Sequence, residues 1–175
     1  KWHHGRQTDR PGFDNVATFH GQGSYFETEF YNGNDVLIRE TGPNEWVDDV
    51  STDYAINFIN QKTNEGIPFL LVLGFKTPHQ PFDPPSRTTS IYDGESARDV
   101  PNLNSPPPGQ IINENSSNYA VPLRKYMSTI AGIDNCVGRV MDQLESLNIV
   151  NNTAIIYLSD NGFFRGEHGL SDKRA

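Results

Sequence analysis

The residues best suited to chemistry in this sequence fall in four short segments spread along its length. Lys1, His3 and His4 open the chain as a small basic cluster able to hold an oxyanion. His79 closes Lys76-Thr77-Pro78-His79, where an imidazole can bind an anion or act as general acid or base. Asp160-Asn161-Gly162 sets a carboxylate beside an amide carbonyl, an oxygen pair that suits a hard cation such as Ca2+. Gly166-Glu167-His168-Gly169-Leu170 with Lys173 forms a glycine-flexed loop that ends on a cation. Each segment has a plainer reading. Asp-Asn-Gly is also good turn chemistry, a basic cluster is commonly a solvated turn, and a loop histidine or lysine commonly has no further role.

Groups of this kind need elements that deliver them. Residues 68–75, from Pro68 to Phe75, form a continuous apolar run bounded by Pro and Gly, the pattern of a central strand covered on both faces. Lys76–His79 stands at its C-terminal end. Thr153-Ala154-Ile155-Ile156-Tyr157-Leu158 reads as a second buried strand, which delivers Ser159-Asp160-Asn161-Gly162. One helix precedes the first run and a second lies between the two runs. The first carries Val50, Tyr54, Ile56, Phe58 and Ile59 largely on one face, with Asp49 or Ser51 as its cap and Asn64-Glu65-Gly66 as its end. The second spans 120–147, with Leu123, Met127, Ile130, Val137, Val140, Met141, Leu144 and Leu147 at spacings of three and four.

Helix–strand–helix–strand order predicts an α/β sheet with parallel strands, and ligands gather outside the carboxyl ends of such strands. Those ends carry His79 and Asp160-Asn161. The first 50 residues read as short strands and turns, including a turn at Tyr31-Asn32-Gly33-Asn34, and residues 83–118 as a long loop. Cys136 lies near the apolar face of the second helix, as a buried structural thiol does.

Composition bounds the function. With 175 residues the chain can bury one core of ordinary size. No apolar run approaches the roughly 20 residues that span a bilayer, so no membrane span is expected in this segment. A net charge of −8 argues against a nucleic-acid partner, yet a few local cations can still dominate an anion pocket. A single cysteine excludes an internal disulfide and a zinc site built on cysteines. The opening at Lys1-Trp2-His3-His4-Gly5 and the abrupt end after Lys173-Arg174-Ala175 are those expected of an internal piece of a longer protein.

Read in order, the segments Lys1-Trp2-His3-His4-Gly5, Lys76-Thr77-Pro78-His79, Ser159-Asp160-Asn161-Gly162 and Gly166–Arg174 resemble those of the sulfatase family. Thr52-Asp53-Tyr54-Ala55 and residues 131–138, from Ala131 to Gly138, fit as connecting segments, so the likeness spans nearly the whole chain. Pro11-Gly12-Phe13-Asp14 and residues 21–26 are similar to a branch of microbial enzymes acting on carbohydrate or aryl sulfates.

The resemblance implies an alkaline-phosphatase-like sheet flanked by helices, of which residues 1–175 would be the central part of the catalytic domain. It implies a sulfuric ester hydrolase with calcium and a formylglycine nucleophile, the latter made from the cysteine of a Cys-x-Pro-x-Arg motif upstream of Lys1. Matched motif to motif, Asp160 and Asn161 would be metal ligands, and Lys1 and His3 would lie beside the nucleophile. His79 and Lys173 would grip the sulfate and stabilise the leaving oxygen, while Lys76 and His168 would contribute to substrate binding. His4 stands where relatives carry an apolar residue and receives no role. Cys136 lacks the Pro and Arg of the nucleophile motif, so the piece alone is expected to be inactive. The partners implied are sulfated carbohydrates or aryl sulfates, and the location implied is outside the cytoplasm: periplasm, exterior or lysosome. Two rivals remain open here, a phosphodiesterase or phosphatase of the same superfamily and a non-catalytic fragment. Zinc-dependent relatives generally place Asp-His where this chain has Asp160-Asn161, which speaks against the first.

Overall fold

The computed structural model of this chain describes residues 8–96, 101–102 and 120–173. Lys1, His3 and His4 therefore lie outside the described residues, as does most of the second half of the predicted long loop. The described elements are β1 (Glu29–Tyr31), β2 (Leu37–Glu40), α1 (Val47–Glu65), α2 (Ala120–Ser146), β3 (Phe164–Arg165) and β4 (Ser171–Asp172). Short 3-10 turns lie at Val150–Asn152 and Glu167–Gly169.

The turn expected at Tyr31–Asn34 reverses the chain between β1 and β2. The Asn32 side-chain oxygen accepts the N–H groups of Asn34 and Val36 at 2.9 and 3.0 Å, a local bond that favours the reversal. The strands pair antiparallel with Phe30 opposite Arg39, and Phe30 points into the core at 1% exposure.

α1 begins two residues before the earlier of the two predicted caps. Neither Asp49 nor Ser51 caps it; Trp46 takes the N-cap position with no side-chain cap bond. Tertiary contacts set this start. The Glu45 carboxylate accepts the Gly42 N–H at 2.7 Å, and the Val47 N–H donates to the Tyr25 carbonyl at 2.7 Å. Trp46 and Val47 are thereby sealed into the core. Asp48 and Asp49 fall in the first turn, where the helix dipole favours negative charge. The predicted end holds: Gly66 adopts φ of 68°, and Ile67 N–H returns to the Lys62 carbonyl at 3.0 Å.

α2 runs almost as its apolar periodicity predicts and packs on α1. The core gathers Phe19, Tyr25, Phe30, Trp46, Val47, Val50, Ile133 and Cys136. Aromatic geometry dominates it, with Phe19 edge-on to Phe30 at 5.6 Å and Tyr25 stacked on Trp46 at 6.1 Å between centroids. An ion network closes the rim of the helix pair: Arg87 grips both oxygens of Asp49 at 2.6 and 2.8 Å and also reaches Asn135. Arg139 bonds Asp53 in the same rim.

Gly132 lets the helices meet this closely. A Cβ there would stand 2.7 Å from Trp46 Cη2 and 3.1 Å from the Pro85 ring. We expect Gly132→Ala to destabilise the fold by about 1–3 kcal/mol despite its better helix propensity, measured by chemical denaturation. A neutral or stabilising result would show that Trp46 yields easily.

The two apolar segments expected to be parallel central strands are not hydrogen-bonded strands among the described residues, and the strands that do form pair antiparallel as β1–β2 and β3–β4. A ladder needs a neighbour, and no described segment lies in register beside either run. The side chains of the first run still show strand character. Phe69, Leu71, Leu73 and Phe75 are half-buried, alternating with the exposed Leu70, Val72 and Gly74. Leu70 is 78% exposed, so the second face of the first run is apolar and bare, while Ile155, Ile156, Tyr157 and Leu158 of the second run are exposed on both faces. Both runs line one groove of about 680 Å3 together with Ile59, Val137, Met141 and Leu144 of the two helices.

Candidate active site

The loop that leaves residues 68–75 is built from its backbone outward. His79 N–H donates to the Lys76 carbonyl at 3.1 Å and closes a tight turn. The Thr77–Pro78 and Gln80–Pro81 peptide bonds are both cis. Asp48, fully buried in the first turn of α1, accepts the Lys76 N–H on Oδ1 at 2.7 Å and the Thr77 N–H on Oδ2 at 3.0 Å. Burial pushes the Asp48 carboxyl above its ordinary range, and the two N–H donors pull against that. The Tyr25 hydroxyl donates to the His79 carbonyl at 2.6 Å.

Lys76 is 2% exposed. Its ammonium donates to the Gln22 carbonyl at 3.0 Å and lies 4.7 Å above the centre of the Tyr25 ring. His79 is half-exposed instead. Its Nδ1 lies 2.7 Å from the Gln80 carbonyl oxygen. A carbonyl can only accept, so Nδ1 carries the proton, and the neutral ring keeps its lone pair on Nε2.

The second loop follows the run 153–158. Ser159 donates to the Asn161 carbonyl at 2.9 Å, and the Asn161 N–H donates to Asp160 Oδ1 at 3.0 Å, so the segment is a self-bonded turn. Asp160 and Asn161 are both exposed, and the Asn161 amide NH2 donates to the Gly162 carbonyl. The carboxylate and the amide oxygen are then the groups this turn offers a cation. They are hard oxygen donors, a chemistry that fits calcium better than zinc. Among the described residues no cluster of three or more His, Cys, Asp or Glu side chains forms a metal centre, so this pair would be part of a larger ligand set.

Beyond the turn the glycine-flexed loop becomes a small hairpin. Phe164 pairs with Asp172 and Arg165 with Ser171. Gly166 takes φ of 112° and its N–H donates to the Leu170 carbonyl at 3.0 Å, while His168 sits at φ of 56°. His168 and Lys173 are exposed, the latter directly after β4.

Arg165 joins the two loops. Its guanidinium lies 4.3 Å over the Phe82 ring, 4.4 Å over Tyr126 and 5.2 Å from Phe163. Phe82 belongs to the His79 side, Phe163 to the Asp160 side and Tyr126 to α2, so one cation sits among three aromatic rings from three elements. The periodicity of the sequence gives no sign of this cage, nor of Asp48 as the support of a loop 28 residues away. A pair of acids at a helix start reads as capping; only the closed fold shows that one of them turns inward.

Cys136 does not fit the nucleophile that the resemblance implies. It is fully buried on α2, its Sγ lies 3.4 Å from Asp49 Oδ1, and burial pushes its thiol up to about 12, far from a reactive thiolate.

Comparison with known proteins gives the family. The sulfatase family model matches residues 1–174, and the chain belongs to the sulfatase family. A sulfatase of Formosa agariphila is 32% identical over 139 residues, covering 69% of this chain and 27% of that protein. Human iduronate 2-sulfatase is 28% identical over 146 residues, covering 70% of this chain and 26% of that protein. The chain thus spans about a quarter of the length of these curated relatives. A structure solved with its substrate D-glucosamine-2-N,6-O-disulfate superposes with a TM-score of 0.80 over 95% of this chain and 47% of that one, at 22% identity. The fold is therefore the alkaline-phosphatase-like architecture of the sulfatases, seen here as a partial domain. Membership of the family implies a metal and a formylglycine.

Proposed function

We propose that the protein to which this segment belongs is a sulfuric ester hydrolase, releasing inorganic sulfate from a sulfated carbohydrate or an aryl sulfate. The observation that carries the reading is the meeting of the two loops at Arg165. It brings Phe82 of the His79 loop and Phe163 of the Asp160 loop to one cation, which supports a reading in which the two loops serve one site. Residues 1–175 supply the central part of the catalytic domain. The names of the relatives support the reaction type, and the disulfated glucosamine held by the matched structure supports a sugar as substrate class.

The chemistry follows from where charge develops. As the ester S–O bond breaks, negative charge builds on the leaving oxygen and on the peripheral sulfate oxygens. Fixed cations aimed there lower the barrier without reorganisation at the moment of reaction. His79, with Nδ1–H held by the Gln80 carbonyl, offers Nε2 to that region; when protonated it donates a proton or hydrogen bond to the leaving oxygen. Lys173 adds a positive charge from the second loop. Lys1 and His3 would do the same beside the nucleophile. Asp160 and Asn161 would hold calcium, which when bound supplies positive charge to the sulfate oxygens. Formylglycine, when present, supplies the attacking oxygen. His168 lies on the exposed hairpin and would contact the substrate away from sulfur. The buried ammonium of Lys76 supports the His79 loop from beneath.

Among the described residues no helix is long and apolar enough to cross a membrane, and export from the cytoplasm belongs to the same reading. The test is sulfate release by the full-length protein from a panel of sulfated mono- and disaccharides, followed by ion chromatography. Release from at least one member is expected. The isolated 175-residue segment, whose one thiol is buried, should release none, and measurable release from it would contradict this division of labour.

A further inference from the structure

We infer that Asp48 and the Tyr25 hydroxyl are positioning groups for His79, fixing the backbone of its loop so that its imidazole is held at the ester. The inference rests on the proposed sulfatase reading, since it concerns the same site.

Asp48 occupies the first turn of α1, where a carboxylate ordinarily serves its own helix from the surface. Here it is fully buried and reaches a loop 28 and 29 residues further along the chain. Each oxygen accepts one of two successive backbone N–H groups, at 2.7 and 3.0 Å. Burying a carboxylate is costly unless it is hydrogen-bonded, and two N–H donors meet that requirement. The same loop is pinned at its far end by the Tyr25 hydroxyl on the His79 carbonyl at 2.6 Å. It is pinned from below by the Lys76 ammonium on Gln22.

What this support holds is informative. Lys76 and Thr77 are buried and Pro78 has no polar side chain, so His79 is the ionisable group that this stretch presents outward. Three polar anchors on the backbone of one short turn limit how far its imidazole can drift. A reacting group displaced by about 1 Å can lose about 100-fold in rate.

The experiment uses the full-length protein with 4-nitrophenyl sulfate, a reactive ester that keeps slow variants measurable. Asp48→Asn replaces one acceptor oxygen with an NH2 that opposes a backbone N–H. Tyr25→Phe removes one hydrogen bond and leaves the ring against Trp46. Each is compared in the wild-type and His79→Ala backgrounds. Asp48→Asn should lower kcat/KM by about 10–100-fold in the first background and by less than about 3-fold in the second. Tyr25→Phe should show the same pattern at about 3–10-fold, and it decides alone if Asp48→Asn does not fold. Equal losses in both backgrounds would mean that these groups only stabilise the fold, and would overturn this inference while leaving the sulfatase reading intact. No sulfate release by the unmodified protein would overturn that reading and this inference with it.

Discussion

Replacing His79 with Ala in the full-length protein should lower kcat/KM for a sugar sulfate by about 100- to 1,000-fold, close to the effect of deleting one preorganised donor from an oxyanion site. The loss should fall mainly on kcat, because the ring acts on charge that is small in the bound ester and large as the S–O bond breaks. It should also depend on the leaving group. An alcohol leaves poorly without a proton, whereas 4-nitrophenolate leaves well, so the aryl ester should suffer less. The fold should survive the change, since the backbone bonds from Asp48 and Tyr25 to the loop remain when the ring is removed. Steady-state kinetics on both esters, with thermal unfolding as control, checks this. A loss under about 5-fold on the sugar ester would remove His79 from the reacting centre.

The second large effect concerns Asp160. We expect Asp160→Ala to abolish calcium retention and reduce sulfate release by at least about 100-fold, because a bound cation is the largest local charge in such a site. The readout that separates this from a general defect is metal content. The unmodified full-length protein should hold about one calcium per chain, measured by emission spectroscopy after extensive dialysis, and the variant well under half of that. Chelator should lower the melting temperature of the former and leave the latter nearly unmoved. Asp160 is exposed and, among the described residues, accepts a hydrogen bond from within its own turn, so its loss should cost the fold itself little. Full calcium occupancy in Asp160→Ala would exclude it as a ligand.

Much of the fold was legible from pattern. The Asn32 turn, the Gly66 stop and the long amphipathic helix near 120–147 follow local rules of side-chain bonding, left-handed backbone and apolar period, and each lies where those rules put it. The start of α1 was not legible, because Trp46 and Val47 are held by Tyr25 and by the core rather than by a capping side chain. Residues 68–75 and 153–158 read in sequence as apolar strands with both faces buried. The first run alternates half-buried and exposed side chains and the second is exposed from Ala154 to Leu158, and their bare faces and missing ladder show that two-sided burial needs neighbours that the described residues do not supply.

The candidate site residues are legible as motifs, and the contacts around them are not. His79 and Asp160-Asn161 follow the two apolar runs in the chain, the positions at which the strand-end rule directs attention. The residues that hold them, Asp48, Tyr25 and Arg165, come from distant elements. Their part depends on contacts across 28 residues or more for Asp48, 54 for Tyr25, and on three separate rings for Arg165. Lys76 illustrates the difference. As a motif residue it reads as a substrate contact, while its ammonium sits inside, on the Gln22 carbonyl and the Tyr25 ring.

The central claim, sulfate ester hydrolysis at an oxygen-ligated calcium, is tested most directly by comparing esters and metals in one assay. The full-length protein should be offered 4-nitrophenyl sulfate, 4-nitrophenyl phosphate and bis(4-nitrophenyl) phosphate, each with calcium or with zinc after chelation. The expected result is release of 4-nitrophenol from the sulfate ester with calcium, at a kcat/KM at least about 100-fold above that for either phosphate ester. A preference for a phosphate ester, or activity restored by zinc and not by calcium, would contradict it.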